Sequence, residues 1–314
     1  MENPKRRIST NGMSREEWLN IRRESIGGSD AAAVLGLSNY VSPYALWAEK
    51  TGQIITPDIS DNEAVRLGND LEQYVADRFC EATGKKVRKM NSILYNDDYP
   101  FAHANIDRQV IGEQAGLECK TTSSWDILEQ CRAGEYPKQW YCQVTHYLMV
   151  TGYEKWYLAV LVFGKGFFWF EIRRDEAEIA ALAEAERDFW ECVTNNTPPA
   201  VDGSEATANA ISTIYRDSVE GQSIDLMPMS TALSGYKHLK DAMVRLEEQL
   251  GQYEAQIKEY MGTAERGSYG DFRVSWKTQC RQTFDRKAWE RDHGPIPAQY
   301  LKQGSSRPFK IMNN

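Results

Sequence analysis

The chain has no run of about 18 apolar residues, so nothing in it reads as a membrane-spanning helix. Its opening, MENPKRRISTNGMSREEW, is polar and charged and lacks the apolar stretch of a secretory signal, which points to a cytoplasmic protein. Cysteine is sparse. The six present, at positions 80, 119, 131, 142, 192 and 280, form no CxxC pair, which excludes a disulfide framework, a zinc ribbon and an iron–sulfur cluster and suits reduced thiols. Internal repeats and low-complexity tracts are absent. An excess of positive charge is also missing: 37 Lys and Arg against 45 Asp and Glu leave a net charge of −8, which argues against a generic nucleic-acid coat.

What is present describes a globular protein of one large or two modest domains. Over 314 residues, 41% are hydrophobic and 11% aromatic, enough apolar surface to offset chain entropy and exclude a disordered chain. The charge is unevenly spread. Residues 171–262 carry 18 acidic and 8 basic side chains, and residues 263–314 carry 5 and 10. An acidic stretch joined to a basic tail suits local contact with a polyanion, and equally suits solvated helix faces with an ordinary basic terminus.

The first thirteen residues read as a flexible arm. Ser14 and Glu17 make a capping box that opens a short helix, broken by Gly27-Gly28, after which Ser29-Asp30 cap another. SPYALWAEKTG (42–52) is a third helix with Pro43 in its first turn, and a longer one runs from about Ser60 to Thr83. SILYN, FAHANIDRQVI and GLECKTT follow as strands, the last two separated by a turn over Gly112–Gly116. Helices over DILEQCR and from about Lys138 to Val150 precede a hairpin, KWYLAVLVFG and GFFWFEIRR, turning at Gly164-Lys165-Gly166. A helix from Asp175 to about Thr194 closes this unit, and NNTPPAVDGSEATANA reads as a linker. Further on, Leu239, Met243, Leu246, Leu250, Tyr253, Ile257 and Tyr260 recur in alternating steps of four and three, a heptad seam suited to pairing with another chain but more commonly folded back on its own domain. SYGDFRVSW reads as a strand, FDRKAWERD as a helix and RPFKI as a final extended piece.

Chemistry gathers at Asp107, Glu118 and Lys120. Residues two apart on a strand share a face, so Glu118 and Lys120 project together and Cys119 points away. With the turn at Glu113–Gly116, Gly112 pairs with Leu117, Ile111 with Glu118 and Gln109 with Lys120, and Asp107 falls on the face of Glu118 and Lys120. Two carboxylates on neighbouring strands are hard oxygen ligands suited to Mg²⁺, with Mn²⁺ as an alternative, and the Cys119 carbonyl offers one more oxygen. A lysine beside such a cation orients or helps deprotonate an attacking water and steadies charge on a phosphorane-like transition state. The set fits phosphodiester hydrolysis. Taken alone, D-x(10)-E-x-K also describes an exposed hairpin with alternating charges. His103, His146, Trp140, Tyr141 and Tyr147 read as packed residues before ligands or base-stacking platforms. Lys277, Arg281, Arg286, Lys287 and Arg291 suit either DNA contact or a solvated surface.

The blocks Arg22-Arg23-Glu24-Ser25-Ile26-Gly27-Gly28-Ser29-Asp30, SPYALWAEKTG, RLGNDLEQYVADRF (66–79), AHANIDRQV (102–110), GLECKTT (116–122) and WYCQVTHYLMVTG (140–152), in that order, resemble the PD-(D/E)XK nuclease superfamily. More narrowly, they resemble the YqaJ or lambda-exonuclease type of phage recombination nuclease, over residues 14 to 194. The resemblance implies an α/β restriction-endonuclease-like core, a central mixed sheet flanked by helices, with a C-terminal helical and small α/β extension. It implies Asp107 and Glu118 as metal ligands, Lys120 as the catalytic lysine, Glu72 completing the acidic site as a further metal ligand, Gln143 as the active-site glutamine and, more loosely, Asp97 as a further acid. Arg22 and Ser29 match a pocket for a terminal 5′-phosphate, which a guanidinium fork and a hydroxyl suit. Ile106 stands where the pattern has proline, and about 120 residues extend beyond the implied nuclease unit.

The expected domains are therefore an arm (1–13), a nuclease domain (14–204), a linker with the heptad helix (205–262) and a small α/β appendage (263–314). The resemblance implies a phage- or prophage-encoded, metal-dependent exonuclease in the cytoplasm of a bacterial host. It would act on linear double-stranded DNA from 5′ to 3′, leave 3′ tails for a single-strand annealing protein, and assemble as a trimeric ring. The alternatives are an endonuclease on the same fold and a non-catalytic DNA-end-binding scaffold.

Overall fold

The computed structural model describes residues 6–55, 61–301 and 311. The chain divides into two compact units, Met1–Arg216 and Asp217–Asn314.

In the first unit, β1 (Arg6–Ser9) is followed by α1 (Arg15–Arg23), the two-residue β2 (Ile26–Gly27), α2 (Gly28–Val34) and α3 (Pro43–Lys50). The expected capping box forms, Ser14 accepting from the Glu17 N–H and Glu17 accepting from the Ser14 N–H. Ser42 caps α3, with Pro43 at its first position. Next, α4 (Glu63–Thr83) leads to β3 (Val87–Lys89), β4 (Ser92–Tyr95), β5 (Ala102–Asn105), β6 (Arg108–Val110) and β7 (Ala115–Thr122). Then α5 (Trp125–Arg132) and α6 (Lys138–Thr151) cross over to β8 (Lys155–Val162), which turns into β9 (Gly166–Arg173) before α7 (Glu176–Thr194) and α8 (Glu205–Ile214).

Two mixed sheets result, one ordered β1-β4-β5-β2 and one ordered β3-β6-β7-β8-β9. Within the second, β7 and β8 run parallel and the other neighbours antiparallel. Alternation sorts its two faces. Val75, Ala76 and Phe79 of α4 pack on Val110, Ala115, Leu117, Tyr157 and Ala159. The opposite face, with Trp156, Leu158, Val160 and Val162, meets Val144 and Leu148 of α6 in the main core. Leu117 and Cys119 thus belong to the α4 side, and Glu118 and Lys120 to the α6 side.

The structure corrects several expectations. Arg6–Ser9 is not a loose arm, because it pairs with β4 from Arg6↔Tyr95 to Ser9↔Ser92. FAHANIDRQVI is not one strand: the backbone leaves the first sheet after Asn105 and enters the second at Arg108, so Ile106 and Asp107 sit at the changeover. The hairpin register also differs. Arg108 pairs with Leu117 and Gln109 with Gly116, four residues from the expected pairing. Gly116 is a packing residue and not part of the turn, since a Cβ there would lie 2.2 Å from the Trp156 ring, whereas Gly112 at φ +86° turns the chain. A slip by an even number keeps every side chain on its face, which is why the grouping of Asp107 with Glu118 and Lys120 survives the error. Finally, α8 is no linker: Thr207 donates to the Ser42 hydroxyl at 2.7 Å, and Ala210 is buried in the main core.

The second unit holds a 32-residue helix, α9 (Ser230–Met261), a hairpin of β10 (Arg266–Tyr269) and β11 (Phe272–Ser275), and α10 (Arg286–His293). The heptad seam lies on α9, but no residue of that helix is buried, so among the described residues the seam is not folded back within its own unit. SYGDFRVSW is a hairpin turning at Gly270, and the 307–310 part of RPFKI lies outside the described residues. No helix among the described residues is long and apolar enough to cross a membrane.

His103 on β5 is buried, with Ser25 Oγ 2.8 Å from its Nδ1. Burial, joined by the charges of Lys50, His146 and Arg22 and opposed by Asp30, depresses its pKa to about 3. The folded state therefore leaves His103 neutral where the unfolded chain, titrating near 6.5, takes up a proton. Stability should fall as pH drops from about 6.5 toward 3, at up to roughly 1.4 kcal/mol per pH unit for this one proton. Chemical denaturation of His103→Gln across that window should show a slope shallower by one proton, and an unchanged slope would contradict the assignment.

Candidate active site

Glu118 and Lys120 leave the same face of β7 and meet α6 at Gln143. The Gln143 side chain joins them: its amide NH₂ donates to Glu118 Oε1 at 2.8 Å, and its Oε1 accepts from Lys120 Nζ at 2.8 Å. Lys120 Nζ also lies 2.8 Å from Glu118 Oε1. The same Gln143 NH₂ donates to Tyr147 Oη at 2.9 Å, one turn along α6, and Tyr147 donates to the Asn105 carbonyl at the end of β5. Tyr147 reads as core from sequence, and it is buried, yet it also anchors the glutamine.

Asp107 enters at the changeover between the sheets. Its Oδ2 accepts from the Cys119 N–H at 2.9 Å, which holds the carboxylate at the edge of β7 between Glu118 and Lys120. In an extended strand a residue's N–H and C=O point to the same edge, so the Cys119 carbonyl faces the Asp107 side as well. Burial, then the charge of Glu118 and, more weakly, that of Glu72, push the Asp107 pKa well up. For Lys120, burial works against the charge, but Glu118 and Asp107 outweigh it and hold the ammonium above its ordinary value.

Glu72, expected as a further metal ligand, is placed differently from Asp107 and Glu118, its carboxylate being taken by Arg108. It projects from α4 and pairs with Arg108, whose guanidinium also donates to the Asp107 carbonyl at 2.9 Å and to Gln73 Oε1 at 3.1 Å. Arg108 is buried, and the motif pattern gives it no role. The signal that could have found it is a cation at an inward-facing strand position beside Asp107, which requires a buried partner. Asp97 is exposed in the turn after β4, on the other sheet.

Among the described residues no three acidic, histidine or cysteine side chains form a ready-made cage for an ion. Two observations nevertheless fit a hard divalent cation at Asp107 and Glu118. Glu118 Oε2 is buried without a hydrogen-bond partner. Asp107, half-buried beside it, is destabilised as an anion by the same charge. Two such carboxylates and a backbone carbonyl are a donor set that Mg²⁺ accepts, because it retains several waters.

A second cluster lies at the end of α1. Arg22 Nη2 donates to Ser29 Oγ at 2.7 Å, and the guanidinium lies 4.6 Å from the Trp18 ring centroid. Ser29 stands in the first turn of α2, one residue past Gly28, where a Cβ would lie 2.4 Å from the Tyr147 ring. The two clusters thus share a wall, α2 on one side and the Tyr147–Gln143 relay on the other.

The family model for the YqaJ-like viral recombinase domain matches residues 17–154, which contain every site residue named above. An uncharacterised YqaJ protein of Bacillus subtilis (strain 168) is 38% identical over 303 residues, covering 95% of this chain and 94% of its own. The chain belongs to the YqaJ family. The crystal structure of an alkaline exonuclease from Laribacter hongkongensis superposes with a TM-score of 0.50 at 22% identity, over 58% of this chain and 94% of that one. A second structure of that exonuclease, in complex with dAMP, matches with the same TM-score at 21% identity. At these identities the likeness shows the fold, the mixed α/β core of the PD-(D/E)XK nucleases. The matched region of the YqaJ protein continues through α9 and the appendage, so the chain beyond residue 194 also has its counterpart there.

Gly28→Ala tests the shared wall. The added methyl must displace Tyr147 and with it Gln143, at a cost of about 1–3 kcal/mol of overpacking. Thermal melting should show that loss, and the hydrolytic activity proposed below should drop further than a stability loss of that size explains. Full activity with an unshifted melting temperature would contradict the relay.

Proposed function

We propose that this member of the YqaJ family is a metal-dependent exonuclease that hydrolyses one strand of linear duplex DNA from the 5′ end and leaves a 3′ single-stranded tail. The observation that carries the proposal is the convergence of Asp107, Glu118, Lys120 and Gln143, with an unpartnered carboxylate oxygen on Glu118. The fold relative from Laribacter hongkongensis, an alkaline exonuclease also solved with dAMP, supports the same reaction class. Supply of tails to a single-strand annealing protein is in keeping with membership in a family of viral recombinases.

Each residue has a separable task. Asp107, Glu118 and the Cys119 carbonyl would hold Mg²⁺ or Mn²⁺, with Glu72 restraining Arg108 at their border. The chemistry a cation supplies there is polarisation of the phosphoryl oxygen and acidification of water. Lys120, held by Gln143, points its ammonium at the place where phosphorane charge develops. Glu118 and Asp107 hold Lys120 protonated against its burial, so it would act as an ammonium that orients the attacking water and steadies developing charge. Gln143 keeps the carboxylate and the amine in register. Arg22 and Ser29 would take the terminal 5′-phosphate, fixing where the strand begins relative to the scissile bond.

A trimeric ring around the duplex belongs to the same proposal, because a closed assembly lets a chain of net charge −8 stay on a polyanion by topology. Light scattering should give three chains, and a monomer at working concentration would remove this part.

Linear duplex labelled at either end, with 5′-phosphate or 5′-hydroxyl, should be digested from the 5′ end only when Mg²⁺ or Mn²⁺ is present. Glu118→Gln and Lys120→Met should each lower the rate by about 10²-fold or more while end binding persists. Cleavage of covalently closed plasmid would favour an endonuclease on this fold, and undiminished DNA binding with no hydrolysis by the wild type would favour a scaffold.

A further inference from the structure

Beneath Arg22 and Ser29 lies a buried cation that the proposed reaction does not use. Lys50, the last residue of α3, has a side chain only 3% exposed. Its ammonium has three N–H groups and three acceptors: the Arg22 carbonyl at 2.7 Å, the Ser25 carbonyl at 2.9 Å and Asp30 Oδ2 at 2.8 Å. The first two acceptors lie at and just past the C-terminus of α1, where carbonyls lack helical partners and a cation is favoured. Lys50 therefore pins the backbone that carries Arg22.

Asp30 is the pivot. One oxygen accepts from Lys50 and from the Gly27 N–H at 3.0 Å, and the other lies 3.7 Å from Arg22 Nη2. Burial alone would raise its pKa, but the charges of Lys50 and Arg22 hold it at about 2, so the carboxylate is ionised at any working pH. A half-buried carboxylate facing a single guanidinium would draw it into a close pair and present no net charge. Here two cations share one anion and the closer is Lys50. The cluster keeps one positive charge in excess, and it resides on Arg22, the more exposed of the two, with 29% of its side chain accessible.

Resting on the reading of Arg22 and Ser29 as the seat of a terminal phosphate, we propose that Lys50 is a positioning residue for 5′-phosphate recognition. It neutralises Asp30 and fixes the end of α1, so that Arg22 keeps an unshared guanidinium edge for the phosphate. Lys50 touches no substrate in this arrangement and acts wholly through Arg22.

The test uses the full-length protein and linear duplexes ending in 5′-phosphate or 5′-hydroxyl, with KM and kcat measured for each end. In Lys50→Met the preference for phosphorylated ends should fall by about tenfold, the scale of one charge-assisted contact, and the loss should lie in KM. Lys50→Arg should recover part of it. Adding Asp30→Asn to Lys50→Met should recover more, because Arg22 is then released from its competitor while the Gly27 N–H keeps an acceptor. A lysine that merely supports the fold would lower kcat on both ends alike and gain nothing from the second substitution, which would overturn the inference.

A wild type that prefers phosphorylated ends, together with a Lys50→Met variant that keeps the full preference, overturns the role of Lys50 and leaves the Arg22 pocket standing. A wild type indifferent to the end group overturns the pocket, and this inference with it. If Lys50→Met alone does not fold, Lys50→Arg decides, since it leaves no unpaired buried charge: a partly lowered preference carried in KM supports the role of Lys50, and a full preference overturns it.

Discussion

Two carboxylates held side by side, Glu118 buried and Asp107 half-buried, repel each other, and the neighbouring side chains of the first unit are arranged around that unfavourable pair. Half-buried Asp107 faces the buried Glu118, which keeps one oxygen without a partner. The surrounding groups partly compensate. A backbone N–H from β7 serves Asp107, the Gln143 amide and the Lys120 ammonium serve Glu118, and Arg108 with Glu72 balances the border. What remains uncompensated is the unpartnered Glu118 oxygen beside Asp107, the feature on which the proposed cation site rests.

That arrangement needs rigid supports on three sides. β7 supplies alternation, sending Glu118 and Lys120 to one face and Leu117 and Cys119 to the other. α6 supplies Gln143 and, one turn on, Tyr147, which ties the glutamine to the end of β5. The break between β5 and β6 supplies Asp107, which a continuous strand would have held within a ladder. Two glycines make the close approaches feasible, Gly116 beneath Trp156 and Gly28 beneath Tyr147. The cluster of Arg22, Asp30 and Lys50 is built on the same wall, so the two proposed sites share one frame.

Beyond this unit, α9 carries a heptad seam that no described residue of its own unit covers, Leu246 and Leu250 each being more than half exposed. The seam was readable from spacing, because the 3.5-residue period is a property of the chain. What covers it is not such a property.

The sequence by itself determined the elements whose signals are local: the Ser14–Glu17 box, Pro43 in the first turn of α3, the β8–β9 hairpin, the extents of α6 and α7, and the alternation that pairs Glu118 with Lys120. It also carried enough ordered motifs to place the chain in its family. Tertiary structure alone decided the register of β6 on β7, because Gly116 reads as a turn residue until an indole is found packed on it. It alone decided the change of sheet at Ile106–Asp107, the addition of β1 to a sheet, and the packing of α8 on α3. Each depends on a partner far away in the chain, and no local propensity encodes a distant partner's position. The buried cations Arg108 and Lys50 belong to the same class: a charge is tolerable inside only where folding brings its counter-charge, and spacing along the chain does not say where that is.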